Sequence, residues 1–203
     1  MKAKKILTST LAAILTVSAV PFTASASAVT EQYEAIVEGI KNGTYNADFN
    51  CDGKLTYADA DALLKFYSLI EISAIDRDGS VIEGKSVGLS EESLKLIASN
   101  GNIDCDEENT VDSDDASFLM QIIKDITLPG DANSDGKIDS DDASLILSAY
   151  AFKQTSDPSS TIEDDAWIEY QSIILVSDID NDGAVDSDDA SFALAIYAEN
   201  QTK

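Results

Sequence analysis

Four times along its 203 residues the chain runs a twelve-residue acidic segment straight into an apolar stretch. Asp131-Ala-Asn133-Ser-Asp135-Gly136-Lys-Ile138-Asp139-Ser140-Asp141-Asp142 leads into ASLILSAYA. Asp178-Ile-Asp180-Asn-Asp182-Gly183-Ala-Val185-Asp186-Ser187-Asp188-Asp189 leads into ASFALAIYA. The copies beginning at Asp48 and Asp104 lead into ADALLKFYS and ASFLMQII. A repeat this short cannot bury its apolar face alone, so each copy must pack against a neighbour. The fold class this predicts is mostly α: loop-helix units in antiparallel pairs. The four loops also hold 19 of the 26 aspartates, against 12 glutamates in the whole chain. Solubility alone would not favour the shorter acid.

The spacing within each loop suits a hard divalent cation. Calcium takes six to eight oxygens at about 2.3–2.6 Å, drawn from loop positions 1, 3, 5, 7, 9 and 12. Loop 1 supplies Asp48, Asn50, Asp52, Lys54, Thr56 and Asp59; loop 2 supplies Asp104, Asp106, Glu108, Thr110, Asp112 and Asp115. Loop 3 supplies Asp131, Asn133, Asp135, Lys137, Asp139 and Asp142; loop 4 supplies Asp178, Asp180, Asp182, Ala184, Asp186 and Asp189. At position 7 (Lys54, Thr110, Lys137, Ala184) the ligand is the backbone carbonyl. Position 6 needs a positive φ, which glycine adopts at no steric cost, and Gly53, Gly136 and Gly183 stand there. Loop 2 departs, with Glu108 at position 5 and Asn109 at position 6. Asn visits positive φ more readily than most residues. Three calcium sites are therefore expected, and the fourth, in loop 104–115, is left open.

Position 8 is apolar in all four loops (Leu55, Val111, Ile138, Val185), which predicts a small β-bridge between paired loops. An alternative for any one acidic loop is an Asx turn with a helix N-cap and no metal. Asp76-Arg77-Asp78-Gly79 has that character: it lacks a position-1 acid, its twelfth residue is Lys85, and it reads as a hairpin turn. Four full-length copies favour the metal reading for the others. Position 12 is always Asp, never the Glu of the EF-hand template, and Leu128-Pro129-Gly130 forbids a helix entering loop 3.

Charge and composition exclude other functions. The net charge is −25 and there is no histidine. Nucleic-acid binding needs Lys/Arg stripes, and His-based catalysis and His-ligated zinc are ruled out. The N-terminus carries Lys2, Lys4 and Lys5, an apolar run from Ile6 to Val20, and small-residue cleavage sites ending at Ala26 and Ala28. Residues 1–28 read as a secretory signal peptide rather than a membrane span. A secreted, extracellular, monomeric product without membrane contact is expected. Cys51 and Cys105 fit either one disulfide or two free thiols.

These loop-helix units resemble the duplicated calcium repeats of type I dockerins. Gly130-Asp131-Ala132-Asn133-Ser134-Asp135-Gly136 matches the opening of the family's loop. A dockerin holds two such loops, in EF-hand-like units known as F-hands, so four loops imply two tandem modules. Long inserts between paired loops, ending in short helices capped by Ser90 or Thr161, resemble ruminococcal members. The resemblance places a helix and linker at 29–43, module 1 at 44–126 with a degenerate second loop, and module 2 at 129–200. It implies calcium-dependent binding to cohesin domains of scaffoldins, in a cellulosome- or amylosome-type assembly for polysaccharide degradation. The implied cohesin contacts are Ser140, Asp141, Leu147 and Ser148, with Ser187, Asp188, Leu194 and Ala195.

No residues remain for a catalytic domain, so no enzyme activity is expected. Glycoside hydrolysis would need two carboxylates facing a sugar cleft, which small helical modules do not form. The alternative is a calcium-stabilised extracellular protein without a cohesin partner. Trp167, the one tryptophan, reads as a packing residue of the second insert. Core positions 8, 13, 16 and 20 place Ile138, Ala143, Ile146 and Tyr150 inside, with Val185, Ala190, Ala193 and Tyr197. Leu147 and Leu194, one residue past the core position, are expected at the surface.

Overall fold

The computed structural model describes residues 26–104, 110–155 and 164–202. They form helices α1 (Ala26–Asn42), α2 (Tyr57–Glu71), α3 (Glu91–Asn100), α4 (Ser113–Ile126), α5 (Ser140–Thr155), α6 (Asp164–Ser177) and α7 (Ser187–Asn200). The protein is mostly α, with no strand among the described residues.

The acidic loops decide where helices begin. Position 9 is the N-cap and position 12 is the third helical residue, so the two form a capping box: Thr56 with Asp59, Asp112 with Asp115, and Asp186 with Asp189. Each pair satisfies backbone donors that a helix start leaves unpaired, and each acid meets the positive end of the helix dipole. Ser90 caps α3 by accepting from the Ser93 N–H at 3.0 Å. Thr161, the other expected cap, lies outside the described residues, as do residues 1–25 of the expected leader.

Among the described residues, α5 packs most extensively with α7 and α2 with α4. The first core holds Phe49, Leu63, Phe66, Leu94, Ile97 and Leu119, each essentially inaccessible. The second is smaller and built on short side chains: Ala143, Ile146, Ala149, Ile173, Ala190 and Ala193. Helix α6 belongs to neither pair and packs on both α2 and α5. Its Tyr170, Ile173 and Ile174 face the second core, while Leu175 reaches the first. Trp167 stacks at a tilt on Tyr170, centroids 5.5 Å apart, and Tyr170 on Phe152 at 5.2 Å. Trp167 is thus a packing residue.

Two expectations need correction. The β-bridge between paired loops does not form: among the described residues the isolated bridge is Ile75 with Val81. It belongs to the Asp76–Gly79 hairpin, where the Asp76 N–H donates to the Ser80 carbonyl at 2.9 Å. Position-8 side chains instead pack against the cores as half-buried residues. Second, Tyr150 and Tyr197 are half-buried; Ala149 takes the inner place in α5, since small residues let α5 and α7 approach closely. Of residues 29–43, 29–42 fall in α1, which docks on the first core through Ile36 and through Tyr33, whose hydroxyl donates to Asp125.

Candidate metal centre

Each described loop curls through two left-handed residues. Gly53, Gly136 and Gly183 at position 6 have φ of 85°, 82° and 87°. Position 4 does the same with non-glycine residues: Cys51 at 62°, Ser134 at 57° and Asn181 at 58°. Sequence reasoning missed position 4, because of these three only Asn favours that region.

The two turns aim the carboxylates inward, and backbone N–H groups hold them there. In loop 3, Asp131 accepts from the Asp135 N–H at 3.0 Å and the Gly136 N–H at 2.9 Å. The Asn133 side chain accepts from the Asp135 N–H at 2.9 Å, and Asp135 from the Lys137 N–H at 3.0 Å. Loop 1 repeats this with Asp48, Asn50 and Asp52, at 2.8 to 3.0 Å. In loop 4, Asp178 accepts from the Gly183 N–H at 3.2 Å, Asp180 from Asp182, and Asp182 from Ala184.

Loop 4 brings Asp178, Asp180 and Asp182 together, each with one carboxylate oxygen within 4.8 Å of the others. Oxygens that share an ion at about 2.4 Å can stand no farther apart than this. One oxygen there, Asp178 Oδ1, is buried with no hydrogen-bond partner. An unpaired buried carboxylate oxygen is costly and calls for a donor or a cation. The donor set, all hard oxygen, suits a hard cation rather than a soft one.

Position 12 works differently. Asp59, Asp115, Asp142 and Asp189 are at most 1% exposed. Each accepts N–H groups from both ends of its loop. Asp189 takes Ile179 at 2.7 Å and Asp186 at 2.9 Å; Asp142 takes Asn133 at 3.2 Å and Asp139 at 2.8 Å. Asp59 takes Asn50 at 3.2 Å and Thr56 at 2.8 Å, and Asp115 takes Ile103, Asp104 and Asp112. This carboxylate therefore clamps the loop shut as well as standing at the twelfth ligand position.

Burial raises the pKa of some of these acids. Burial pushes Asp59 up to about 7, against the pull of its Thr56 and Asn50 N–H bonds, with Asp48 and Asp52 adding repulsion. Asp115 and Asp142 are raised for the same leading reason, burial. Asp180 is also raised: its bond from the Asp182 N–H lowers it, and desolvation with the charges of Asp182, Asp189 and Asp178 outweighs that bond. The Cys51 thiol is raised by desolvation and then by Glu92 and the loop-1 aspartates; its sulfur is free.

In loop 2, residues 105–109 lie outside the described residues, which removes Cys105, Asp106 and Glu108 from view. Asp104 and Thr110 flank that gap, and the Asp112–Asp115 capping box is formed. In loops 1, 3 and 4 the N–H of each position-7 residue (Lys54, Lys137, Ala184) is tied to the position-5 acid.

All eight expected contact residues, Ser140, Asp141, Leu147, Ser148, Ser187, Asp188, Leu194 and Ala195, are exposed. Leu147 and Leu194 are each 45% exposed. Phe192, 46% exposed, joins them and was not anticipated. Its signal was present, since an aromatic residue two positions before Leu194 is off the core stripe.

The chain matches no family model, no curated protein and no solved structure. Among the described residues no helix is long and apolar enough to cross a membrane.

Proposed function

We propose that the protein is a secreted, non-catalytic adaptor that docks calcium-dependently onto cohesin domains of scaffoldins, in an assembly for polysaccharide breakdown. The observation that carries the metal half of this reading is the convergence of Asp178, Asp180 and Asp182 around the orphaned Asp178 Oδ1. A calcium ion there would take the position 1, 3 and 5 side chains, the Ala184 carbonyl and the Asp189 carboxylate. Its charge would offset repulsion that the loops otherwise carry unrelieved. Loops 1 and 3 have the same turns, with Asn50 and Asn133 where loop 4 has Asp180, and Asn109 and Glu108 make loop 2 the weakest candidate.

The docking half rests on the surface of α5 and α7. Exposed Leu147, Leu194 and Phe192 alternate with exposed Ser and Asp side chains along α5 and α7, the mixed apolar and polar character that interfaces use. Two-loop folding places like residues of α5 and α7 at like positions. Calcium acts at a distance from that surface by fixing where both helices start. A pulldown with a panel of cohesin domains tests the reading: binding in calcium that chelator abolishes is expected. Capture by no cohesin, from a chain that still binds calcium, would favour a calcium-stabilised extracellular protein without that partner.

A further inference from the structure

The two loop pairs offer the same helix faces by sequence, and the structure treats them differently. In the second pair, the residues seventeenth from each loop start, Leu147 and Leu194, are 45% exposed. Their counterparts in the first pair, Leu64 and Met120, are half-buried and pack against the first core. At the fifteenth place the contrast recurs. Phe192 is 46% exposed, whereas the Phe118 ring is met edge-on by Tyr33 of α1, centroids 5.4 Å apart and planes at 85°.

The cover is held by polar contacts as well. Asp125, one turn beyond Gln121 on α4, accepts from the Tyr33 hydroxyl and from the Gln121 side-chain amide at 2.8 Å. Gln121 is the counterpart of Ala195, one of the exposed residues of the second pair. On the partner helix, α3, α4 and α6 all pack against α2, and Asp61 and Ala62 are buried, at 3% and 2% exposure. Ser144 and Ser191, the counterparts of Asp61, are exposed. So α1 meets α4 through Tyr33, a contact α5 and α7 lack, while α6 packs on α2 and α5 alike.

We infer that the chain is monovalent: α1, through Tyr33, self-occupies the docking face of the first pair, leaving the α5–α7 face as its single docking surface. The inference deepens the function proposed above and rests on it for what binds. The cover itself is independent of any partner. Tyr33 is its pin, giving both the ring contact and the hydroxyl bond, and α1 precedes the first loop in the chain, where it can close only on the first pair.

Hydroxyl-radical footprinting of the calcium-loaded full chain tests the cover. Phe192 and Leu194 should be modified readily and Phe118 protected. Tyr33→Ala should lose the protection at Phe118 and leave Phe192 unchanged, while Tyr33→Phe, which keeps the ring, should retain it. Equal reactivity of Phe118 and Phe192 in the unsubstituted chain, or protection surviving Tyr33→Ala, overturns the cover. Calorimetric titration with a cohesin domain tests valency. One cohesin per chain is expected, with complete loss on joint Leu147→Asp and Leu194→Asp substitution. Two per chain, or binding that survives the double substitution, overturns monovalence. Failure of every cohesin to bind would instead overturn the docking reading, with the footprint still deciding whether the first face is covered.

Discussion

Replacing Asp178 and Asp189 separately distinguishes a metal ligand from a loop clamp. Asp189 is buried and accepts two backbone N–H bonds, at 2.7 and 2.9 Å. Asp189→Ala leaves both donors unpaired, at about 1–3 kcal/mol each, and removes a favourable charge from the start of α7, about 0.5 kcal/mol. A metal-free cost of about 3 kcal/mol follows from the lower half of these ranges. Asp178 accepts one N–H bond, at 3.2 Å, and its other oxygen has no partner. Asp178→Ala therefore forfeits about 1 kcal/mol at most, and removing one charge of a crowded trio returns a similar amount. With calcium at a hundred times its Kd, either variant should lose a further ~2.7 kcal/mol, the stabilisation a ligand gives by mass action. The assay is urea unfolding followed by circular dichroism, in chelator with 1 M KCl to screen the acids (Debye length about 3 Å) and again in calcium. Equal metal-free costs for the two variants, or a cost below about 1 kcal/mol for Asp189→Ala, would refute the division of labour.

Loop 2 should be the weak site: in calorimetry of the full chain, Asp104→Ala should leave the tight calcium sites unaltered, whereas Asp48→Ala should remove one of them. In chelator, stability should fall as pH rises from about 4 to about 7. Asp59 is raised from its ordinary value to about 7 by burial, so folding takes up a proton in that window. Thermal unfolding in chelator should accordingly show a higher Tm at pH 5 than at pH 8, and a flat or reversed profile would count against the buried acids. Calcium should invert this trend, because it competes with the proton for the same oxygens. The near-symmetry of α5 and α7 should allow two docking poses. Replacing Asp141 with Leu147, or Asp188 with Leu194, should then each cost about twofold in cohesin affinity, while replacing all four abolishes it; abolition by one pair alone would mean a single pose.

The helix starts were legible because one pattern serves two purposes: Asp or Thr at position 9 and Asp at 12 make a capping box whether or not a cation is present. Buried Ala143, Ile146, Ala190 and Ala193 followed from the same stripe, as did the exposure of Leu147 and Leu194. The turn at position 4 was not legible, since Cys51 and Ser134 carry no intrinsic preference for positive φ and are forced there by the bonds around them. The β-bridge was over-read from apolar residues at position 8, which satisfy themselves by core packing alone. Most of what was missed is tertiary. Nothing in the periodicity of α1 says that Tyr33 will find Asp125, 92 residues away, or that α6 will turn Leu175 to one core and Ile173 to the other.

The central claim is that these loops are calcium sites and that the helices depend on them. Loops 3 and 4 hold five and six aspartates in twelve residues each, over a second core built largely of alanines. A small core gives little to set against that repulsion, so metal binding should appear as folding free energy. The direct measurement is a calcium titration of the chelator-stripped full chain followed by far-ultraviolet circular dichroism, with magnesium as the control cation. The account predicts that helicity, partial in low-salt chelator, rises and saturates with calcium, falls back in excess chelator and responds weakly to magnesium. A spectrum of full helicity in excess chelator that calcium leaves unchanged would contradict it.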